Sequence, residues 1–168
     1  IYQLIIEEGK NHNLSHCGSH AMDTMRMESG FLHWGHDISP EENQYEAGLN
    51  FAISHKKEID FIGKKSLSKI KDKKQNRRFI MLSLKDSKPG TPLLLHEEPI
   101  YLGDKIIGRT TSGNYSFNYK KNISFGYVSS AHSNKELSKM DLYIEVAKQK
   151  FPVMVEITPL KGKQTRFS

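Results

Sequence analysis

The sequence predicts an α+β chain in two parts: helices and loops first, then a small antiparallel β-barrel of about six strands. Three observations carry this expectation. Apolar residues recur at helical spacing between Ile1 and Gly30. A run of charge with little to bury, Lys71 to Arg78, marks a change of composition. Beyond it, short stretches that alternate apolar and polar residues are separated by polar turns. The expected division is therefore 1–74 and 75–168.

Each element has its own signal. In IYQLIIEEGKNHN, residues Ile1, Leu4 and Ile5 share one helical face, Glu7, Glu8 and Lys10 lie largely opposite, and Asn13 or Ser15 ends the run. A second helix reads through SHAMDTMRMES and stops at Gly30. Its stripe of Cys17, Ala21 and Met25, with Met22 alongside, is expected to face the core, with Arg26 at the margin. Phe31 to Ile38 is too aromatic for a solvated linker, and Pro40 with Glu41 and Glu42 reads as a loop or first turn. Leu49, Phe51 and Ile53 alternate as in a strand, and Leu67 and Ile70 sit on a polar helix over Gly63–Asp72.

The second part reads as strands. Arg78 to Leu84 comes first, followed by a turn at Pro89-Gly90. Ile100-Tyr101-Leu102 and Ile106-Ile107 flank Gly103-Asp104, a two-residue hairpin signal. Ile123 to Ser129 is a further strand. Leu142 to Ala147 and Phe151 to Ile157 alternate and are expected to pair across a Lys148–Lys150 turn.

Composition narrows the function classes. With 36% hydrophobic and 26% charged residues in 168, a core is affordable and global disorder is not expected. No apolar run approaches the ~20 residues that cross a bilayer, and no charged-then-apolar leader is seen. The single cysteine, Cys17, has no internal disulfide partner, which fits a reducing interior. A net charge of +6 leaves anionic ligands and nucleic acid open. The chain opens at Ile1, inside an amphipathic helix, so it is expected to be a C-terminal piece of a longer protein.

Several side chains could carry chemistry. His16 and His20, beside Cys17, have metal-ligand spacing, but no third ligand follows at a recognisable distance, so a metal is not expected. His33 and His36 precede Asp37: either an acid/base pair or structural histidines hydrogen-bonding a tight turn. Arg26 either presents its planar fork to a carboxylate or heterocycle, or pairs with Asp23 along its own helix. The lysines from Lys56 onward are interleaved with Glu58, Asp60 and Asp72, which reads as a solvated surface rather than a phosphate track. Tyr115, Phe117 and Tyr119, followed by Lys120 and Lys121, could stack single-stranded bases on an OB-like barrel or pack inward. Gly103, Gly108 and Gly113 are spaced as turn glycines, not as a nucleotide loop.

The string itself is more specific. Asp23-Thr24-Met25-Arg26-Met27-Glu28, then His33-Trp34-Gly35-His36-Asp37-Ile38, Tyr45-Glu46-Ala47-Gly48-Leu49 and Phe61-Ile62-Gly63 occur in order. Glu98-Pro99-Ile100, Ile107-Gly108, Thr111-Ser112-Gly113-Asn114-Tyr115-Ser116 and Phe125-Gly126-Tyr127-Val128 follow. This set resembles the folate-binding aminomethyltransferase family, which includes the glycine cleavage T-protein and the C-terminal folate modules of dimethylglycine and sarcosine dehydrogenases. The Trp34-Gly35 pair looks more like the dehydrogenase branch.

The resemblance implies the C-terminal portion of an α/β folate-binding domain over 1–74 and the family's barrel domain over 75–168. It implies tetrahydrofolate as cofactor and a small N-methylated amine or aminomethyl donor as partner. FAD is implied only in a missing N-terminal part of a dehydrogenase. Arg26 matches the family's helix arginine that contacts folate, Trp34, Asp37, Tyr45 and Glu46 match the motif stretch where residues contact the ligand or hold the loop, and Tyr115 and Ser116 match the barrel loop near the site mouth. The family's catalytic aspartate and pterin-recognising glutamate are expected upstream of Ile1, so no catalytic residue is assigned here. The chain alone is expected to be inactive and to need the remainder of its parent. The implied compartment is the cytoplasm, or the mitochondrial matrix in a eukaryote. The alternatives are the T-protein itself and a basic barrel that binds nucleic acid.

Overall fold

The computed structural model describes residues 1–157 and 159–160. Strands β1 (Arg77–Leu84), β2 (Pro99–Leu102), β3 (Lys105–Ser116), β4 (Lys121–Ser129), β5 (Leu142–Val146) and β6 (Gln149–Val155) form a closed barrel in the order β1-β4-β3-β2-β5-β6. Every pairing is antiparallel, and β6 closes on β1 through Leu82↔Val155 and Leu84↔Val153. Closure removes the exposed edges that an open sheet of this size would present.

Alternation decides what fills the barrel. Ile80, Leu82 and Leu84 of β1 point inward with Ile100, Val128, Leu142, Ile144 and Val153, and Leu94 and Leu137 join the same cluster. The intervening residues do not face water. Met81, Ile123 and Phe125 form a second cluster with Met27 and Leu160, and Phe79 packs against it. Both faces of β1 are thus covered, which is why Phe79-Ile80-Met81-Leu82 reads as an unbroken apolar run. β3 and β4 approach closely: a Cβ at Gly126 would meet the Arg109 carbonyl oxygen at 2.5 Å.

The outer cluster is where the first part of the chain docks. Helix α1 spans Tyr2–Gly9, with a short 3-10 turn and then Asn13 at φ 54, one of the two stops expected there. Helix α2 spans Ser19–Glu28 and ends before Gly30 at φ +75. Helix α3 covers Lys64–Ile70, turning Leu67 and Ile70 to the less exposed side. Helix α4 (Asn134–Leu137), absent from the sequence reading, starts with a capping box. Ser133 Oγ accepts from Glu136 N–H, and the Glu136 carboxylate accepts from Ser133 N–H, which holds its carboxyl below the usual range.

Three expectations need correction. The Cys17, Ala21, Met25 stripe does not face the core: Met25 is 56% and Met22 63% exposed. The buried members of α2 are Met27 and Glu28, because the barrel's outer cluster meets the helix along that line. The Leu49, Phe51, Ile53 alternation is no strand. Gly48 at φ +72 precedes a 3-10 turn at Asn50–Ala52, and no strand among the described residues includes this stretch. In the 31–38 segment the aromatics Phe31 and Trp34 are exposed, and the buried residue is Asp37.

The last hairpin is tighter than expected. Strands β5 and β6 meet across Ala147 and Lys148 alone, with Val146 opposite Gln149. Both turn residues have positive φ, 49 and 64, a geometry that favours Asn-Gly. Ala147→Asn with Lys148→Gly is expected to stabilise the chain by about 1 kcal/mol. Thermal unfolding checks this, and an unchanged or lower midpoint would contradict it.

Candidate functional site

Beside the apolar outer cluster, the interface between the first part and the barrel has a polar section centred on one buried carboxylate. The Asp37 side chain is 0% exposed and accepts four hydrogen bonds. Oδ1 takes the hydroxyls of Thr111 (2.6 Å) and Ser112 (2.7 Å); Oδ2 takes Arg26 Nη1 (2.5 Å) and the His33 backbone N–H (2.9 Å). Its backbone carbonyl accepts the Tyr127 hydroxyl at 2.8 Å. Burial pushes the Tyr127 phenol well above its usual range, so it remains a proton donor.

Arg26 spends most of its fork on the same junction. Nε donates to Asp23 at 3.0 Å, Nη1 to Asp37 and to the Phe31 carbonyl, and Nη2 to Ser112 Oγ at 2.9 Å. The plane lies 5.8 Å from the Phe125 ring centroid. The intrahelical Asp23 pair and a wider role therefore coexist. Two residues on, Glu28 accepts from Ser116 Oγ at 2.5 Å and Asn118 Nδ2 at 3.0 Å, anchoring the end of α2 to β3 and the turn after it. A second arginine holds the following loop. Arg77 pairs with Glu42 at 3.0 Å and Glu46 at 3.5 Å, above the Tyr127 ring.

Beside the Arg26 centre lies a cleft of about 210 Å³. Its walls come from α2 (His20, Asp23, Arg26), the 31–38 loop (His33, His36), the 93–98 loop (Leu95, His96) and β3 (Thr111 to Asn114). Among the described residues, none of these four imidazoles makes a hydrogen bond. The tight turn is held by the His33 backbone: its carbonyl accepts from the N–H groups of His36, Asp37 and Ile38. The larger hollow near Leu49, Ile53, Phe61 and Leu67, about 520 Å³, is mainly apolar and gathers no comparable donor set. No group of three or more His, Cys, Asp or Glu among the described residues is placed to hold a metal ion.

Of the motif residues singled out by sequence, only Arg26 lines this cleft among the described residues, with Asp37 buried behind it. Trp34 is 66% exposed on the loop. Tyr45 bonds His55 Nε2 at 2.9 Å, and Glu46 belongs to the Arg77 clamp. Tyr115 meets Phe117 edge-on at 5.0 Å, and Phe117 points outward while Tyr119 packs on the outer cluster. Ser116 is buried on Glu28 rather than open at a mouth. Ser112, Thr111 and His96 were not singled out, and His20 was weighed only for its metal-ligand spacing with His16. Only the Thr111-Ser112-Gly113-Asn114 motif offered a signal, since burial of a hydroxyl against a distant carboxylate leaves no periodic trace.

Comparison with known proteins fits this arrangement. Residues 77–160 match the family model described as the glycine cleavage T-protein C-terminal barrel domain, and residues 1–57 match the GCVT N-terminal domain. The chain belongs to the glycine cleavage T-protein family. An aminomethyltransferase of Symbiobacterium thermophilum is 36% identical to it over 79% of this chain and 34% of its own. The mitochondrial dimethylglycine dehydrogenase of Homo sapiens is 32% identical over 95% of this chain and 18% of its own. The chain thus spans about a third or less of these relatives. The crystal structure of glycine cleavage system aminomethyltransferase T from Bartonella henselae superposes with a TM-score of 0.80 at 21% identity, covering 95% of this chain and 43% of that one. At that identity the likeness shows the T-protein fold alone.

Proposed function

We propose that this chain forms the C-terminal module of a tetrahydrofolate-dependent one-carbon transferase, of the kind attached to flavin-linked N-methylamine dehydrogenases. The observation that supports it is the family match over both parts of the chain, joined across a junction that Arg26 and Asp37 lock. The His33-Trp34-Gly35-His36 stretch supports the dehydrogenase branch over the T-protein itself.

The residues present fit part of such a cofactor. A 210 Å³ cleft lies below the ~300–1,000 Å³ of whole-ligand pockets, so it suits one end of a folate rather than all of it. Arg26 has five N–H donors and spends four on the protein, leaving one for a ligand. Tetrahydrofolate, when bound, supplies the acceptor for the one-carbon unit. The chain's own contribution is to bind and orient: Asp37 and Ser112 fix the guanidinium, and α2 and β3 fix the cleft walls. FAD and the amine-oxidising step belong, in this reading, to other parts of the parent protein, and the 168 residues alone are inactive.

Calorimetric titration of tetrahydrofolate into the full-length natural polypeptide tests the reading. Saturable binding at one site per chain is expected. Absence of binding at millimolar ligand would contradict it. The +6 charge is read as a solvated surface, so no salt-dependent binding to single-stranded DNA is expected beside it.

A further inference from the structure

We infer that the apolar hollow beside α3 is the seat of another segment of the natural polypeptide, one that lies upstream of Ile1 and presents an apolar face. The first part of the chain has almost no core of its own. Among the described residues, Met27 and Ala47 are the only buried apolar side chains before β1, and Met27 packs on the barrel's outer cluster. Of the nineteen large apolar side chains exposed among those residues, thirteen precede β1. The barrel differs, since β1 and β4 are buried on both faces along most of their length. The exposed apolar surface therefore belongs to the first part, and the hollow gathers a share of it. Leu49, Ile53 and Leu67 are half-buried in its walls, Ile59 and Phe61 are exposed there, and Ile62 is fully so.

Polar contacts brace the hollow. Lys64 Nζ donates to the Lys57 carbonyl at 2.6 Å and to the Ile59 carbonyl at 3.4 Å, tying the loop to α3. The Tyr45 hydroxyl donates to the Leu67 carbonyl at 3.5 Å and lies 2.9 Å from His55 Nε2, tying the other wall to the same helix. A contiguous apolar patch held in shape marks an interface, whereas single exposed apolar residues do not. An apolar cavity of about 150 Å³ takes a benzene-sized group, so about 520 Å³ has room for more than one side chain. Lys57 and Asp60 are the charged residues of the lining and offset each other, which favours an apolar surface over an ionic one. The comparisons indicate the source of that surface. Leu49 and Ile53 lie within the residues matched to the GCVT N-terminal domain, and the chain spans about a third or less of the relatives named above. The identity of the occupant rests on the proposed function, in which this chain is one module of a longer transferase; the need for a cover rests on the hollow.

The test uses the full-length natural polypeptide carrying Ile62→Cys and follows maleimide labelling of that cysteine by peptide mass spectrometry. Labelling is expected to be at least tenfold slower in the folded protein than in the same protein unfolded in urea, and to stay slow after hundredfold dilution. p-Benzoylphenylalanine in place of Ile62 then identifies the cover by photo-crosslinking, with thermal unfolding to check that each protein is folded. The expected crosslink joins position 62 to a peptide upstream of Ile1. Equal labelling of folded and unfolded protein overturns the inference. Crosslinks confined to residues 1–168 of one chain overturn it as well. Crosslinks between two copies, or protection lost on dilution, overturn it in favour of self-association through the hollow. Titration of the wild type with tetrahydrofolate separates this outcome from the proposed function. Saturable folate binding with position 62 unprotected overturns the seat and leaves the folate reading standing. An upstream crosslink without folate binding supports the seat and counts against the folate reading.

Discussion

Arg26→Ala is expected to lower the unfolding free energy by about 3–5 kcal/mol, the cost of removing one partner from a buried ion pair. The magnitude follows from what is left behind. Asp37 is 0% and Arg26 16% exposed at the side chain, so water cannot replace the lost donor. Ser112 Oγ and the Phe31 carbonyl lose their guanidinium contacts in the same step. Three donors remain on Asp37, which places the expected cost at the lower end of that range. Arg26→Lys keeps the charge and loses the fork, so it is expected to fall between wild type and alanine. A double-mutant cycle with Asp37→Asn isolates the pair, with an expected coupling of about 1–3 kcal/mol. Urea unfolding provides the measurement. An Arg26→Ala cost below about 1 kcal/mol would show that the junction does not depend on this pair.

Phe125→Ala is expected to cost about 3–5 kcal/mol by the removal of a large buried ring. Phe125 is 0% exposed and the largest fully buried side chain among the described residues. It meets Phe79 edge-on at 5.0 Å, lies beneath the Arg26 guanidinium, and shares a cluster with Met27, Met81 and Ile123. Its loss opens a cavity between α2 and the barrel, so the helix should loosen together with the outer cluster. Phe117→Ala is the control: Phe117 is 73% exposed, and its substitution is expected to stay within about 0.5 kcal/mol. Equal costs for the two phenylalanines in chemical unfolding would contradict the packing described for the outer cluster.

The barrel was legible in the sequence because its strands are short apolar stretches bounded by turn residues, although β1 and β4 are buried on both faces. The Gly103-Asp104 hairpin, the strands at Arg78–Leu84 and Ile123–Ser129, and the final pair all appear within a few residues of their observed bounds. The first part was less legible for a physical reason. Its residues are held by polar contacts between distant segments: Asp37 reaches Thr111 and Ser112 across 74 and 75 positions of sequence. Glu28 reaches Ser116 across 88. No local spacing announces such partners. Apolar periodicity misled on α2 because its sulfur-rich stripe and its barrel-facing line are different faces of one short helix. The motif resemblance did find Arg26, but not that the protein consumes four of its donors. His20, His33 and His36 were read only in pairs and His96 not at all, and only the fold gathers the four around one cleft.

The central claim is that one end of a folate rests in the cleft that the Arg26–Asp37 junction shapes. A crystal structure of the full-length natural polypeptide with tetrahydrofolate tests it most directly. The predicted result places a ligand oxygen or nitrogen within about 3.2 Å of Arg26 Nη2 or of an imidazole of His33, His36 or His96. A bound folate that touches no residue of α2, the 31–38 loop or β3 would contradict it.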